Sequence, residues 1–373
     1  VEVATGVVVG HDEPAVPLPK MTHTPLEALE QAVLPALLRS PCVVAFSGGR
    51  DSSAVLAVAL RVARREGLAE PVAFTRRWPT HPDTDESYWQ ELVVKALGVR
   101  DWERVELEES DVIGPLARPS LRRRGVLWPP FAHPLPVLFA RAAGGSFVTG
   151  EGGDEILGSR RCSTFRNLLS PKTRITRRQV ERALVSLGPR PVREWGVRHR
   201  YPALAFWLVP DLRRDFLRSF VEDQASEPLS WAASLRWHVR SKSVVLGTHN
   251  LEVLVGENGA VMFQPLLDPG FISAFARATG PFGFPDRTAA MRSVFHDLLP
   301  DELLRRNTKA FTTSVVFGEC SRKFMDAWDG KGVDSSMVDI ESLRQAWSGP
   351  SPPVNTGLLL QQAWIESEEA NRP

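Results

Sequence analysis

Two short stretches of this chain join glycines to carboxylates and hydroxyls in a pattern suited to phosphate chemistry. The first reads Phe46-Ser47-Gly48-Gly49-Arg50-Asp51-Ser52-Ser53. Its glycines let the backbone come close to a phosphate, and Ser47, Ser52 and Ser53 offer hydroxyl donors. A helix that starts directly after such a loop presents unsatisfied N–H groups and a dipole that favour an anion. Asp51 adds like charge beside phosphates. It makes sense as a ligand of Mg²⁺, an ion that takes one or two carboxylates together with phosphate oxygens. The second stretch reads Thr149-Gly150-Glu151-Gly152-Gly153-Asp154-Glu155-Ile156-Leu157-Gly158. Asp154 would face Asp51 across one ion, which would neutralise charge on a leaving pyrophosphate. Gly150 joins Ser47, Gly48, Gly49, Asp51, Ser52 and Ser53 as a nucleotide-binding position. The G-x-x-x-x-G-K-[ST] phosphate loop is absent. The plain alternatives are a Gly-Gly turn capped by Asp and an acidic surface turn.

Regular elements must hold these loops. The apolar run 41–46 reads as a buried strand entering the first loop, and 52–66 as the helix leaving it. Upstream, residues 25–39 space Leu26, Leu29, Val33, Leu34 and Leu37 as a helix does. Further strands are expected at 71–75, 104–107 and 146–149. Helices are expected at 83–98, with Gly98 as C-cap, and at 134–143. Strand alternating with helix predicts an α/β fold, a parallel sheet flanked by helices. Such sheets bind nucleotides at the carboxyl ends of their strands, where both Gly-rich stretches fall. The expected organisation is a lead-in and N-terminal helix over 1–40 and a nucleotide-binding core over 41–160. A mostly helical region over 161–373, rich in Trp and Arg, would pack on that core as the substrate and closure region.

The first loop resembles the S-G-G-x-D-S loop of the ATP-pyrophosphatase superfamily, whose members cleave ATP between the α and β phosphates and adenylate a substrate oxygen. The second resembles a G-E-G-G-D-E element. Together they make the chain look like the synthetase domain of asparagine synthetase, which is shared with β-lactam synthetase and lasso-peptide cyclases. The resemblance implies an adenine-nucleotide α-hydrolase-like fold and ATP and Mg²⁺ as cofactors. It also implies amide formation through an acyl-adenylate, with AMP and diphosphate released, and an adenine near residues 73–75, at Thr75. Gln264-Pro265-Leu266-Leu267-Asp268 is similar to the family's P-F-L-D element, and 286–299 followed by Pro300 to the helix before its R-x-K-x-x-F region. That region reads Arg305-Arg306-Asn307-Thr308-Lys309-Ala310-Phe311, with the arginine shifted by one. By this resemblance Lys309 stabilises developing negative charge, although spacing alone reads it as an exposed lysine. Glu151 is the candidate base for the attacking amine. Asp85-Glu86 fits either the family's acidic pair or simple acidity in the first turn of a helix.

The departures set the expected substrate. The family's D-R-x-S-M-A…E-x-R pattern is not recognisable in 250–263. No cysteine nucleophile opens the chain, which begins at Val1, and Cys42 reads as a buried strand residue. Glutamine hydrolysis within the chain is therefore not expected. Intramolecular or peptide amide formation, of a macrocyclase or lactam kind in natural-product biosynthesis, is. Ammonia-dependent amidation and adenylation of transfer RNA remain the alternatives, followed by a non-catalytic binding domain. Lys+Arg number 45 and Asp+Glu 44, which gives no electrostatic case for a nucleic-acid partner. The basic runs 121–125, 159–161 and 171–178 fit a solvated face, or a patch for a precursor peptide or its leader. Cys42, Cys162 and Cys320 form no metal or disulfide pattern. No signal peptide or membrane span is recognisable, so the expected compartment is the cytoplasm. His249 and His296 have no supporting pattern.

Overall fold

The computed structural model describes residues 1–12, 18–20, 22–168, 176–310 and 313–370; Phe311 and residues 171–175 of the third basic run lie outside them. Five strands form one sheet: β1 (Cys42–Ala45), β2 (Val72–Arg77), β3 (Trp102–Glu106), β4 (Ser146–Val148) and β5 (Val261–Phe263). Their order is β3-β2-β1-β4-β5, and every neighbouring pair is parallel. The chain builds outward from β1 on one side, then returns to lay β4 on the other. The order thus reverses between β1 and β4, where a crevice opens at the strands' carboxyl ends. Val44 pairs with Val148, so the two strands end level and their loops emerge side by side. β5 comes from the region expected to be helical. A run as short as Val261-Met262-Phe263 carries too little periodicity to announce itself.

The helices that frame the crevice have local reasons to start and stop. α1 (Pro25–Leu37) begins from a capping box of Thr24 and Glu27, with proline in its first turn. α2 (Arg50–Glu66) leaves the first Gly-rich loop and ends at Gly67 in the left-handed conformation. α3 (Ser87–Leu97) ends at Gly98, which is left-handed as the sequence implied. It is shorter than the expected 83–98: Pro82–Thr84 forms a 3-10 turn, and the extended Asp85 accepts a hydrogen bond from the Ser87 amide at 3.0 Å. The expected helix 134–143 resolves into Pro136–Phe139 and a 3-10 turn, Ala140–Ala142, since Pro134 and Pro136 lack the amides a longer helix needs. Beyond β4 come α4 (Gly153–Leu157), α5 (Lys242–Gly256), α6 (Pro269–Arg277) and α7 (Arg287–Phe295). Asp268 caps α6 and Asp286 caps α7.

Alternation along the strands divides the core between two faces. Val44, Phe46 and Val148 pack with Leu29, Val33, Leu56, Leu60, Phe271, Phe275 and Phe295 from α1, α2, α6 and α7. Val43, Phe74 and Phe147 pack on the opposite face with Phe139, Leu251 and Leu254. A third cluster lies off the sheet around Trp207, Trp328, Trp347 and Trp364, and takes in Ala4, Val112, Ile113 and Leu121. Residues from both sides of position 160 therefore share all three cores. Among the described residues no helix is long and apolar enough to cross a membrane.

Candidate active site

The first loop turns directly out of β1. Ser47 and Ser52 brace it, with their Oγ atoms 3.0 Å apart and Ser47 Oγ accepting from the Gly49 amide at 3.3 Å. Gly48 is left-handed at φ +83. Gly49, the N-cap of α2, supplies no side-chain cap, so the first amides of a 17-residue helix are left for an anion. Ser47 is exposed, Ser52 is buried, and Ser53 is fully buried with its Oγ lacking a hydrogen-bond partner.

The second loop lies directly on the first. A Cβ at Gly150 would come within 2.8 Å of the Ser52 amide nitrogen, and one at Gly153 within 2.2 Å of the Asp51 carboxyl carbon. Glycine is required at both positions because any side chain would fill the contact. That contact brings Asp51 and Asp154 to the same guanidinium, since Arg287 donates to both carboxylates. The locus expected for Mg²⁺ is thus spanned by an arginine at the first position of α7. Lys309 Nζ lies 3.4 Å from Asp154 Oδ2. Burial raises the Asp51 pKa against the pull of Arg287. Burial would also raise that of Asp154, but the hydrogen bond and charge of Arg287, then those of Lys309, bring it below its ordinary value.

The donor set suits an ion delivered on phosphates. Asp51 Oδ1 is buried without a partner, and Asp51 and Asp154 are close enough to share one cation. Among the described residues no group of three or more His, Cys, Asp or Glu side chains gathers into a metal site. Two carboxylates with phosphate oxygens match the way Mg²⁺ is usually held.

Glu151 and Glu155 face the other side of the second loop, where a cavity of about 260 Å³ opens beneath Trp128, Phe131, Leu251 and Leu267. Glu151 is open to that space, yet surrounding protein desolvates its carboxyl and the charges of Glu155 and Asp154 oppose its ionisation, so its pKa is raised.

Several other expectations resolve here. Arg306 is buried; it donates to the Gly48 carbonyl at 3.2 Å, pairs with Glu86, and stacks 4.6 Å from the centroid of Trp89. Asp85 and Glu86 thus part company: Asp85 stays a local cap, while Glu86 ties the 301–310 segment to the first loop through Arg306. Arg305 points away to Asp301. Thr75 is fully buried, and its hydroxyl donates to the Phe46 carbonyl at 2.7 Å and accepts from Trp102 Nε1 at 2.9 Å. Its side chain belongs to the sheet and is not brought to the open crevice. His296 is exposed beside Asp297, and His249 lines an adjoining cavity that shares Val244, Thr248, Gln264 and Leu267 with the one beside Glu151. Arg122 pairs with Glu368, and Arg123 and Arg124 with Glu257, so the first basic run is largely neutralised.

Sequence reasoning did not single out Arg287. A signal existed, because a cation in the first turn of a helix opposes the dipole and so calls for anions from elsewhere in the fold.

The family described as asparagine synthase matches this chain over residues 26–364. No curated protein sequence matches the chain.

Proposed function

The chain belongs to the asparagine synthase family and is an ATP-dependent carbon–nitrogen ligase, and on that premise we propose that it adenylates a substrate carboxylate, releases pyrophosphate and passes the acyl group to an amine. In our reading that amine sits on the substrate itself or on a peptide, so the product is a lactam or macrocycle of natural-product biosynthesis. The observation that carries the proposal is the contact of Gly150 and Gly153 with residues 51 and 52. It gathers the uncapped start of α2 and two carboxylates at one crevice, with Glu151 on the cavity side of the same loop.

ATP would rest its phosphates on the first amides of α2 and on Ser47. Asp51 and Asp154 would hold Mg²⁺, which when bound supplies neutralising charge to the pyrophosphate. A substrate carboxylate oxygen bonds to the α-phosphorus, the bond to the α–β bridging oxygen breaks, and pyrophosphate leaves. The amine then bonds to the acyl carbon, Glu151 accepts its proton, and AMP departs. Lys309, exposed and 3.4 Å from Asp154, would oppose the negative charge that develops. Adenylation for RNA thiolation finds no support: Cys42 is buried, and burial pushes the Cys162 thiol up to about 11, so neither is poised as a thiolate.

The test is Mg²⁺-dependent ATP–pyrophosphate exchange with aspartate, β-amino-acid lactam precursors, and peptides bearing an acidic side chain and a free N-terminus. We expect exchange with one of these acids, lowered roughly 100-fold in both Asp51→Asn and Asp154→Asn. Release of ADP and phosphate, or exchange untouched by both substitutions, overturns the mechanism. Product that forms only with added ammonium would favour ammonia-dependent amidation.

A further inference from the structure

The cavity beyond the second loop has a composition of its own. Its walls are mainly apolar, from Trp128, Phe131, Leu251 and Leu267, and no Lys, Arg or His lines it. Phe131 is 43% exposed, an aromatic face left uncovered inside a concave site. The cavity's polar lining includes the carboxyls of Glu151 and Glu155, four residues apart, and the Gln264 side chain, whose Oε1 is buried without a hydrogen-bond partner, together with the neutral Ser243, Thr248 and Asn355. Arg76 and Lys309 feel the charge of Glu151, but neither lines the cavity. Two carboxyls without a cation on a mainly apolar chamber select a group that brings its own protons and positive charge. They reject a second carboxylate, which would find no cation there. At about 260 Å³ the chamber falls below the roughly 300–1,000 Å³ of sites for drug-sized ligands. It suits one side-chain-sized body.

From this geometry we infer that the cavity is the amine subsite, taking a primary ammonium attached to a single apolar or aromatic group, with the ammonium held by Glu151, Glu155 and Gln264. This rests on the adenylating reading above for the fate of the amine, but the binding it asserts can be measured without turnover. The ammonium could be the N-terminus of a peptide whose first residue is apolar, or a small free amine. Glu155 is here a binding residue, and Glu151 serves both binding and proton transfer.

Calorimetric titration of the full chain would compare phenylalanine amide, its N-acetyl derivative and neutral 3-phenylpropionamide. A parallel arm would use Phe-Gly-Gly-amide with and without an N-acetyl group. The free amine is expected to bind at least about tenfold tighter than either neutral compound, in keeping with a charge-assisted hydrogen bond. Glu155→Gln should erase most of that preference in protein whose thermal unfolding confirms that it folds. Tight binding in the peptide arm as well assigns the ammonium to a peptide terminus; binding of the single-residue amide alone assigns it to a small amine. Equal affinity for the free and acetylated compounds, or no binding of any, overturns the subsite in the unmodified protein. Selective amine binding in protein that shows no pyrophosphate exchange with any acid would instead overturn the adenylating reading and leave the subsite standing.

Discussion

Asp51 and Asp154 carry the same carboxyl group into different surroundings. Asp51 sits at the start of a buried helix, and burial lifts its pKa despite Arg287; Asp154 is more open, and Arg287 and Lys309 overcome the effect of burial. One guanidinium serves both, so its charge must be shared or replaced when polyphosphate and its cation arrive. Glu151 stands apart from this pair, on the cavity side. Burial first, then the charges of Glu155 and Asp154, hold its carboxyl above the ordinary range, which brings a carboxylate closer to the basicity a proton acceptor needs. Glu151→Gln is expected to keep ATP–pyrophosphate exchange and to slow amide formation by about 100- to 10,000-fold. A base works only when deprotonated, so the amide-forming rate should climb with pH through a midpoint above the ordinary carboxylate value. Equal loss of exchange and amide formation in the variant would remove Glu151 from the base role.

At the scale of elements, the site is a contact between two turns. α2 supplies uncapped amides, and α4 begins within reach of Asp51 only because Gly150 and Gly153 have no side chains. Arg306 adds a third tie, from the segment after Pro300 to the Gly48 carbonyl and Glu86. Gly153→Ala places a Cβ where only 2.2 Å separates it from the Asp51 carboxyl carbon. Overpacking of this kind costs about 1–3 kcal/mol, and here the strain falls on the turn that would hold the phosphates. We expect ATP affinity to fall roughly tenfold or more by calorimetry, with the far-ultraviolet spectrum of the fold retained. Unchanged affinity would mean that the two loops separate without consequence for the nucleotide.

The whole molecule decides where those turns meet. Reversal of strand order between β1 and β4 sets their loops side by side. The second loop, α5 and the segment around Pro129 and Pro130 then line the cavity. His133 lies under that segment, fully buried, with Nδ1 3.0 Å from Ser120 Oγ and Nε2 unpartnered. Burial holds its pKa down at about 4, from an ordinary 6.5. Between these values the unfolded chain binds a proton that the folded chain refuses. Stability from this residue is therefore complete above pH 6.5 and is lost as pH falls towards 4, to a total of about 3 kcal/mol. Urea unfolding of wild type and His133→Gln across that range should show a steeper acid loss in wild type. Parallel curves would show that His133 does not supply the proton linkage.

The local patterns were legible in the sequence. Ser47-Gly48-Gly49 and Gly150-Glu151-Gly152-Gly153-Asp154 declared themselves by residue type, and β1, β2 and β4 by short apolar runs between helical spacings, because backbone approach and side-chain periodicity are properties of neighbouring residues. The resemblance to the asparagine synthetase domain rested on those same loops, and the family match bears it out. What the sequence left open depended on residues far apart along the chain. β5 was too short to show a period, Asp85 and Glu86 looked alike until Arg306 chose one of them, and Thr75 gave its hydroxyl to Phe46 and Trp102. Arg287 was one basic residue among 45. Only the tertiary structure set β4 beside β1, put a guanidinium between Asp51 and Asp154, and shaped a cavity without a lining cation beside Glu151. Strand order and the pairing of buried charges are set by long-range packing, which no local spacing encodes.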